Sequence, residues 1–169
     1  MALDEAQRGV LRNMLLALAV SVVALVGVVA WRPSFLMASA QLDARLASAL
    51  RWDAVVLACL VIAIGNLARH RFLTPADIDG SGLTSATDRA RVFQAVIQNT
   101  LEQTVIAVLA HLLWVATMPP GWFAAVPVAV VLFVIGRASF AFGFALTFYP
   151  TVILTLAAVA AIVWRRLGG

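Results

Sequence analysis

The stretch Arg91 to Gln103, RVFQAVIQNTLEQ, opens a strongly apolar segment with polar residues. At about 100° per residue, Arg91, Gln94, Gln98 and Glu102 fall on one narrow stripe of a helix, with Ala95 and Asn99 beside it. A carboxylate at bilayer depth costs at least ~2.5–3.5 kcal/mol on insertion scales, so Glu102 is expected to face other helices or a cavity and not lipid. An ionisable group inside a membrane segment is a functional-site hypothesis by default.

The rest of the chain supports the membrane reading. Of its 169 residues, 63% are hydrophobic and only 12% are charged, against roughly 25% charged in an ordinary soluble domain, and its mean hydropathy is +1.00. The composition is that of an all-α integral membrane protein. The net charge of +4 does not point to nucleic acid, because every basic residue among the Lys and Arg is Arg and these sit at the ends of apolar segments, where they anchor helices at the interface. The single cysteine, Cys59, lies in an apolar run, reads as a buried thiol and excludes a disulfide framework within the chain.

Five spans are expected. Met14 to Trp31 is a charge-free run long enough to cross a bilayer, and it competes with a signal-peptide reading kept open by Ala38-Ser39-Ala40. A linker from Arg32 to Arg51 follows, with an interfacial helix over Gln41 to Leu50. Trp52 to Ala68 is the second span, Arg89 to Thr117 the third, Trp122 to Phe142 the fourth, and Gly143 to Trp164 the fifth, with a kink expected at Pro150. Counting arginines on alternate sides gives seven (8, 12, 69, 71, 89, 91, 137) against five (32, 45, 51, 165, 166). That weak bias places the N-terminus and the 72–88 loop in the cytoplasm of a bacterial-type inner membrane.

Within that loop, Asp77, Asp79, Ser81 and Asp88, with Gly82, match the ligand spacing of a calcium loop. Both flanks run into spanning helices and the last position is Asp instead of Glu, so a glycine-rich turn explains the same residues better. His111, about 200° around the helix from the polar stripe, reads as a packed or interfacial histidine. With His70 the only other histidine, no metal centre is expected. Tyr149 reads as a packed ring.

Asn99-Thr-Leu-Glu102 early in a membrane helix, followed after a short turn by Arg137-Ala-Ser-Phe140-Ala-Phe-Gly143-Phe144, resembles the MAPEG family of membrane-associated proteins in eicosanoid and glutathione metabolism. The resemblance covers residues 51–169 and implies a four-helix membrane domain, with residues 1–50 adding one N-terminal transmembrane helix and a linker. It further implies a homotrimer that binds glutathione between neighbouring protomers. Asn99 and Glu102 would hold the tripeptide's amine and backbone, Arg137 and Arg69 its carboxylates, and Gln98 and Arg91 complete the expected site. An arginine fork suits a carboxylate and a carboxylate suits an ammonium. The chain departs from the pattern of active members at Ala95, Phe140, Phe144 and Thr151, which removes an arginine, two tyrosine hydroxyls and the cation that favours a thiolate.

Two functions follow. One is a glutathione-dependent transferase or peroxidase acting on a small lipophilic substrate drawn from membrane lipid. The other is a non-enzymatic oligomeric bundle in which the stripe of α-helical polar residues is structural.

Overall fold

The computed structural model describes residues 4–79, 86–138 and 144–168, without the side chains of residues 6 and 144–147. The described chain is all-α, with α1 Glu5–Trp31, α2 Leu42–Leu73, α3 Asp88–Thr117, α4 Ala125–Ala138 and α5 Phe144–Leu167. Five segments are long and apolar enough to cross a membrane: Gln7–Trp31, Leu42–Leu73, Asp88–Thr117, Pro120–Ala138 and Phe148–Leu167.

Each boundary has a local cause. The Asp4 carboxylate accepts from Gln7 N at 2.6 Å while the Gln7 side chain accepts from Asp4 N at 3.0 Å, a reciprocal cap that starts α1. At the other end Arg32 adopts a left-handed conformation, φ 51°, and its N–H returns to Val28 O, which stops the helix. The Thr87 hydroxyl caps α3 by accepting from Ala90 N. Met118-Pro-Pro-Gly121 ends α3 and turns the chain into α4, whose Pro127 sits in the first turn, where its missing N–H has no helical partner to lose. Helix α5 runs through Pro150.

The expected linker and short second span are replaced by one helix. α2 continues unbroken for 32 residues, about 48 Å at ~1.5 Å per residue, and crosses the expected junction at residues 50 and 51. The stretch holds no proline and only Gly65, and its first turns are rich in Ala and Leu, so nothing in it stops a helix. Asp53 and Arg45, expected at a helix end and in a linker, are therefore inside the protein, at 4% and 8% exposure.

α2 packs on α3 and α4, α3 on α5, α4 on α5, and α1 against α4 and α5. α4 is the most enclosed segment, with 56% of its apolar window buried against 22% for α1. The core is built on small residues: Ala49, Ala110, Ala125, Ala129 and Ala158 bring backbones close, and Trp114, Phe123, Val126 and Leu154 fill the remaining space. Outward, Val23, Leu57, Ile62, Leu156 and Trp164 are all exposed. Such a surface is stable only in a non-aqueous solvent or against further protein.

Close packing at Ala49 leaves no room for a larger side chain. Ala49→Leu should destabilise the protein by about 1–3 kcal/mol, seen as a lower thermal midpoint in detergent, whereas Leu57→Ala on the outer face should leave that midpoint unchanged.

Candidate functional site

Three polar clusters interrupt the apolar bundle. The first joins α4 to α3. Arg137, in the last turn of α4, donates from Nη1 to Asn99 Oδ1 at 2.9 Å and to Thr100 Oγ1 at 3.0 Å. The Thr100 hydroxyl in turn donates to Val96 O at 2.7 Å, and the guanidinium carbon lies 5.9 Å from the Phe133 ring centroid. This half-buried Arg137 lines a cleft of about 390 Å³ with Cys59, Asn66, Val96, Thr100 and Val134.

A second cleft of about 420 Å³ shares Asn66 with the first and lies toward the 72–88 loop. Arg69, His70 and Thr74 from the end of α2 and Arg89 and Phe93 from the start of α3 line it. Among the described residues, neither lining contains a carboxylate. Fixed positive charge in the wall of a cleft favours an anion.

Behind this cleft the base of the loop is tied down. Asp77 Oδ1 accepts from Thr87 N at 2.9 Å; Oδ2 accepts from Thr87 Oγ1 at 2.6 Å and lies 2.9 Å from His70 Nε2. The Thr87 hydroxyl, then its backbone N–H, hold the Asp77 carboxyl below the ordinary aspartate range, and His70 adds to the effect. Because Asp77 stays ionised, His70 Nε2 carries the proton that faces it. Both Asp77 oxygens are thus engaged in joining the end of α2 to the start of α3. Asp79 is described, but Ser81 and Gly82 of the calcium-loop pattern lie outside the described residues. Among the described residues, no group of three or more His, Cys, Asp or Glu is placed to hold a metal ion.

The third cluster is buried between α2 and α3. His111 Nδ1 and Asp53 Oδ1 are joined by a hydrogen bond of 2.6 Å, with side chains only 1% and 5% exposed. Asp53 Oδ2 and Thr104 Oγ1 are buried with no partner among the described residues. Toward the same end of the bundle, buried Arg45 donates from Nη1 to Met118 O at 3.2 Å and so satisfies a terminal carbonyl of α3.

The structure brings Asn99 and Arg137 together and places Arg69 in the neighbouring cleft. Gln98 and Glu102 are elsewhere: both are exposed on the outer face of α3, where Gln98 Nε2 donates to Glu102 Oε1 at 2.8 Å. Glu102 forms no ion pair among the described residues. Arg91 is also exposed and pairs with Asp88 at 2.8 Å. Ala95 is exposed as well. Phe140 and the side chain of Phe144 lie outside the described residues.

Sequence reasoning passed over Thr100, Asn66, Arg89 and the Asp53–His111 pair. The signal for the pair was present: two titratable side chains inside consecutive apolar helices each require a partner, and each is the other's nearest means of satisfying that requirement. Arg89 was read only as the start of a span.

No family model, curated protein or solved structure matches this chain.

Two outcomes test the clusters. His111→Leu strands the Asp53 carboxylate in the core and should destabilise by about 3–5 kcal/mol, whereas Asp53→Leu combined with His111→Leu should recover most of that loss in thermal unfolding. At the loop, Asp77 has a folded pKa depressed below its unfolded value near ~3.9. Its contribution is therefore complete above that value and is lost as pH falls through the folded pKa. Proteolytic protection of the loop should drop only below about pH 4, and in Asp77→Asn the loop should be cut faster at neutral pH, with the acid step gone.

Proposed function

We propose that the chain is a multi-pass, homo-oligomeric membrane protein whose Arg137 cleft binds a small amphipathic anion. Glutathione is the proposed ligand, and conjugation or peroxide reduction of a lipophilic substrate is the proposed chemistry. The observation that carries this reading is the Arg137 guanidinium itself, oriented by Asn99 and Thr100 at the wall of a cleft whose described lining is otherwise mostly apolar.

A guanidinium anchored by two neutral side-chain oxygens is oriented before binding and loses little side-chain freedom when a carboxylate approaches it. The apolar lining, Ile62, Ala63, Val96 and Val134, suits a lipophilic co-substrate arriving from the bilayer. The MAPEG-like order of Asn99, Glu102 and Arg137 supports glutathione as the thiol. A thiol must be ionised to attack an electrophile or a peroxide, and Arg137 is the cation among the described residues of this lining that could favour the thiolate.

Glu102 supports the oligomer. It stands at the midpoint of α3, on the outer face, with Gln94 and Gln98 on the same side. Lipid contact there would be expensive, so a neighbouring copy of the chain is the natural cover, as a trimer in the arrangement the resemblance implies. A second reading, a non-enzymatic bundle, is favoured by the same outward stripe: Gln98 and Glu102 satisfy each other and need a neighbouring helix more than a ligand.

Calorimetry of glutathione with the detergent-purified protein decides between them. Saturable binding at millimolar or lower concentration is expected, weakened at least tenfold in Arg137→Gln, in keeping with ~1.5–3 kcal/mol for a hydrogen bond to a charged group. Glu102→Gln that stays oligomeric but no longer binds would place the carboxylate at the ligand; dissociation of Glu102→Gln, with no glutathione bound to the intact wild type, would leave the structural bundle standing and the enzyme reading refuted.

A further inference from the structure

The cleft nearer the loop has a different chemistry from the Arg137 cleft. Arg69 lies one turn before the end of α2 and Arg89 is the second residue of α3, so both stand at one end of two segments able to span a membrane. Neither guanidinium forms an ion pair among the described residues. Arg89 rests near the Phe93 ring, 5.8 Å from its centroid, while the adjacent Asp88 is already paired with Arg91 and Asp77 is taken by Thr87 and His70. Two unneutralised guanidinium groups therefore converge on one space of about 420 Å³, which accommodates a small polar headgroup.

Asn66 belongs to both clefts. Beyond it, Ala63 and Ile62 lie about 9–10 Å along α2 from Arg69 at ~1.5 Å per residue, and Val96 and Val134 face the same space from α3 and α4. A ligand whose anion sits between Arg69 and Arg89 would thus have hydrocarbon leading away from it into the apolar wall.

We propose that the Arg69–Arg89 cleft is a headgroup site for an anionic phospholipid, with the phosphate held by the two guanidinium groups and the first methylenes of an acyl chain descending past Asn66 between Ala63 and Val96. Guanidinium forks match phosphate oxygens in geometry as well as charge, and cations at the ends of spanning helices lie at the depth of the lipid phosphates. The phosphate chemistry is shared with free phosphate anions; the apolar continuation past Asn66 favours the lipid. The headgroup is held without Arg137 and does not require glutathione to bind, although the acyl chain enters the Arg137 cleft.

Native mass spectrometry of the full-length, delipidated protein, titrated with dioleoyl phosphatidylglycerol or the matching phosphatidylcholine, tests this. The anionic lipid should bind at least tenfold more tightly, and Arg69→Gln with Arg89→Gln should reduce it to the phosphatidylcholine level. Arg165→Gln, at the far end of α5, should change nothing. Arg89→Lys, which keeps the charge and removes the fork, should lose part of the preference and serves if the double variant does not fold. Arg137→Gln should retain the lipid, so a failure of the glutathione reading leaves this result untouched. Equal binding of the two lipids, or an unchanged preference in a folded double variant, would overturn the proposal. Complete displacement by millimolar inorganic phosphate or glycerol 3-phosphate would overturn it in favour of a free phosphate anion.

Discussion

A polar group enclosed by an apolar bundle must be satisfied from within it, and the arrangement of α2, α3 and α4 follows from that requirement. α3 carries Thr100, Thr104 and His111 on its inward side, separated by Ala107. α4 meets this line at Thr100 through Arg137, and α2 meets it at His111 through Asp53. Sliding α4 by one turn, ~5.4 Å, would break the contact at Thr100, and sliding α2 would break the contact at His111, in each case leaving a polar group buried without its partner. Between the two contacts the small side chains of Ala107 and Ala110 let the backbones approach, so dispersion holds what the polar contacts align. In lipid, where apolar association gains little from leaving water, this combination of register and close contact is the main source of specificity.

Much of the helical architecture was legible because length, hydropathy and punctuation agree. Pro119, Pro120 and Gly121 end one helix and start another, and the limits of α3 match their expectation within a residue. The extent of α2 was not legible. Arg45, Arg51 and Asp53 look like interface residues when hydropathy is averaged along the chain, yet two of the three are buried by partners remote in sequence: Met118 for Arg45 and His111 for Asp53. Charge marks a boundary in a hydropathy plot only when its partner is water.

The candidate site divides along the same line. The helical stripe Arg91, Gln94, Gln98 and Glu102 is real in the sense that all four are exposed together, but periodicity identifies a face without saying which way the face points. Asn99 and Thr100, one and two positions on from Gln98, turn inward and receive Arg137 instead. In a soluble protein the polar face is outside by default. In a membrane segment it can be inside, toward a cavity, or outside, toward another copy, and α3 has both kinds of polar side chain on different faces.

The distribution of charge also gives the bundle a direction. Near the 72–88 loop, Arg69 and Arg89 line a space with no carboxylate among its described residues, while at the opposite end Arg45 is engaged with a helix-terminal carbonyl and Asp53 is matched to His111. At the loop end Asp77 ties the end of α2 to the start of α3 by binding Thr87 and His70. Removing that tie would alter the separation of Arg69 and Arg89 without touching either arginine. For the proposed anion site the loop would have a mechanical part, because two cations on different helices act as one site only while the helices that carry them are held at a set distance.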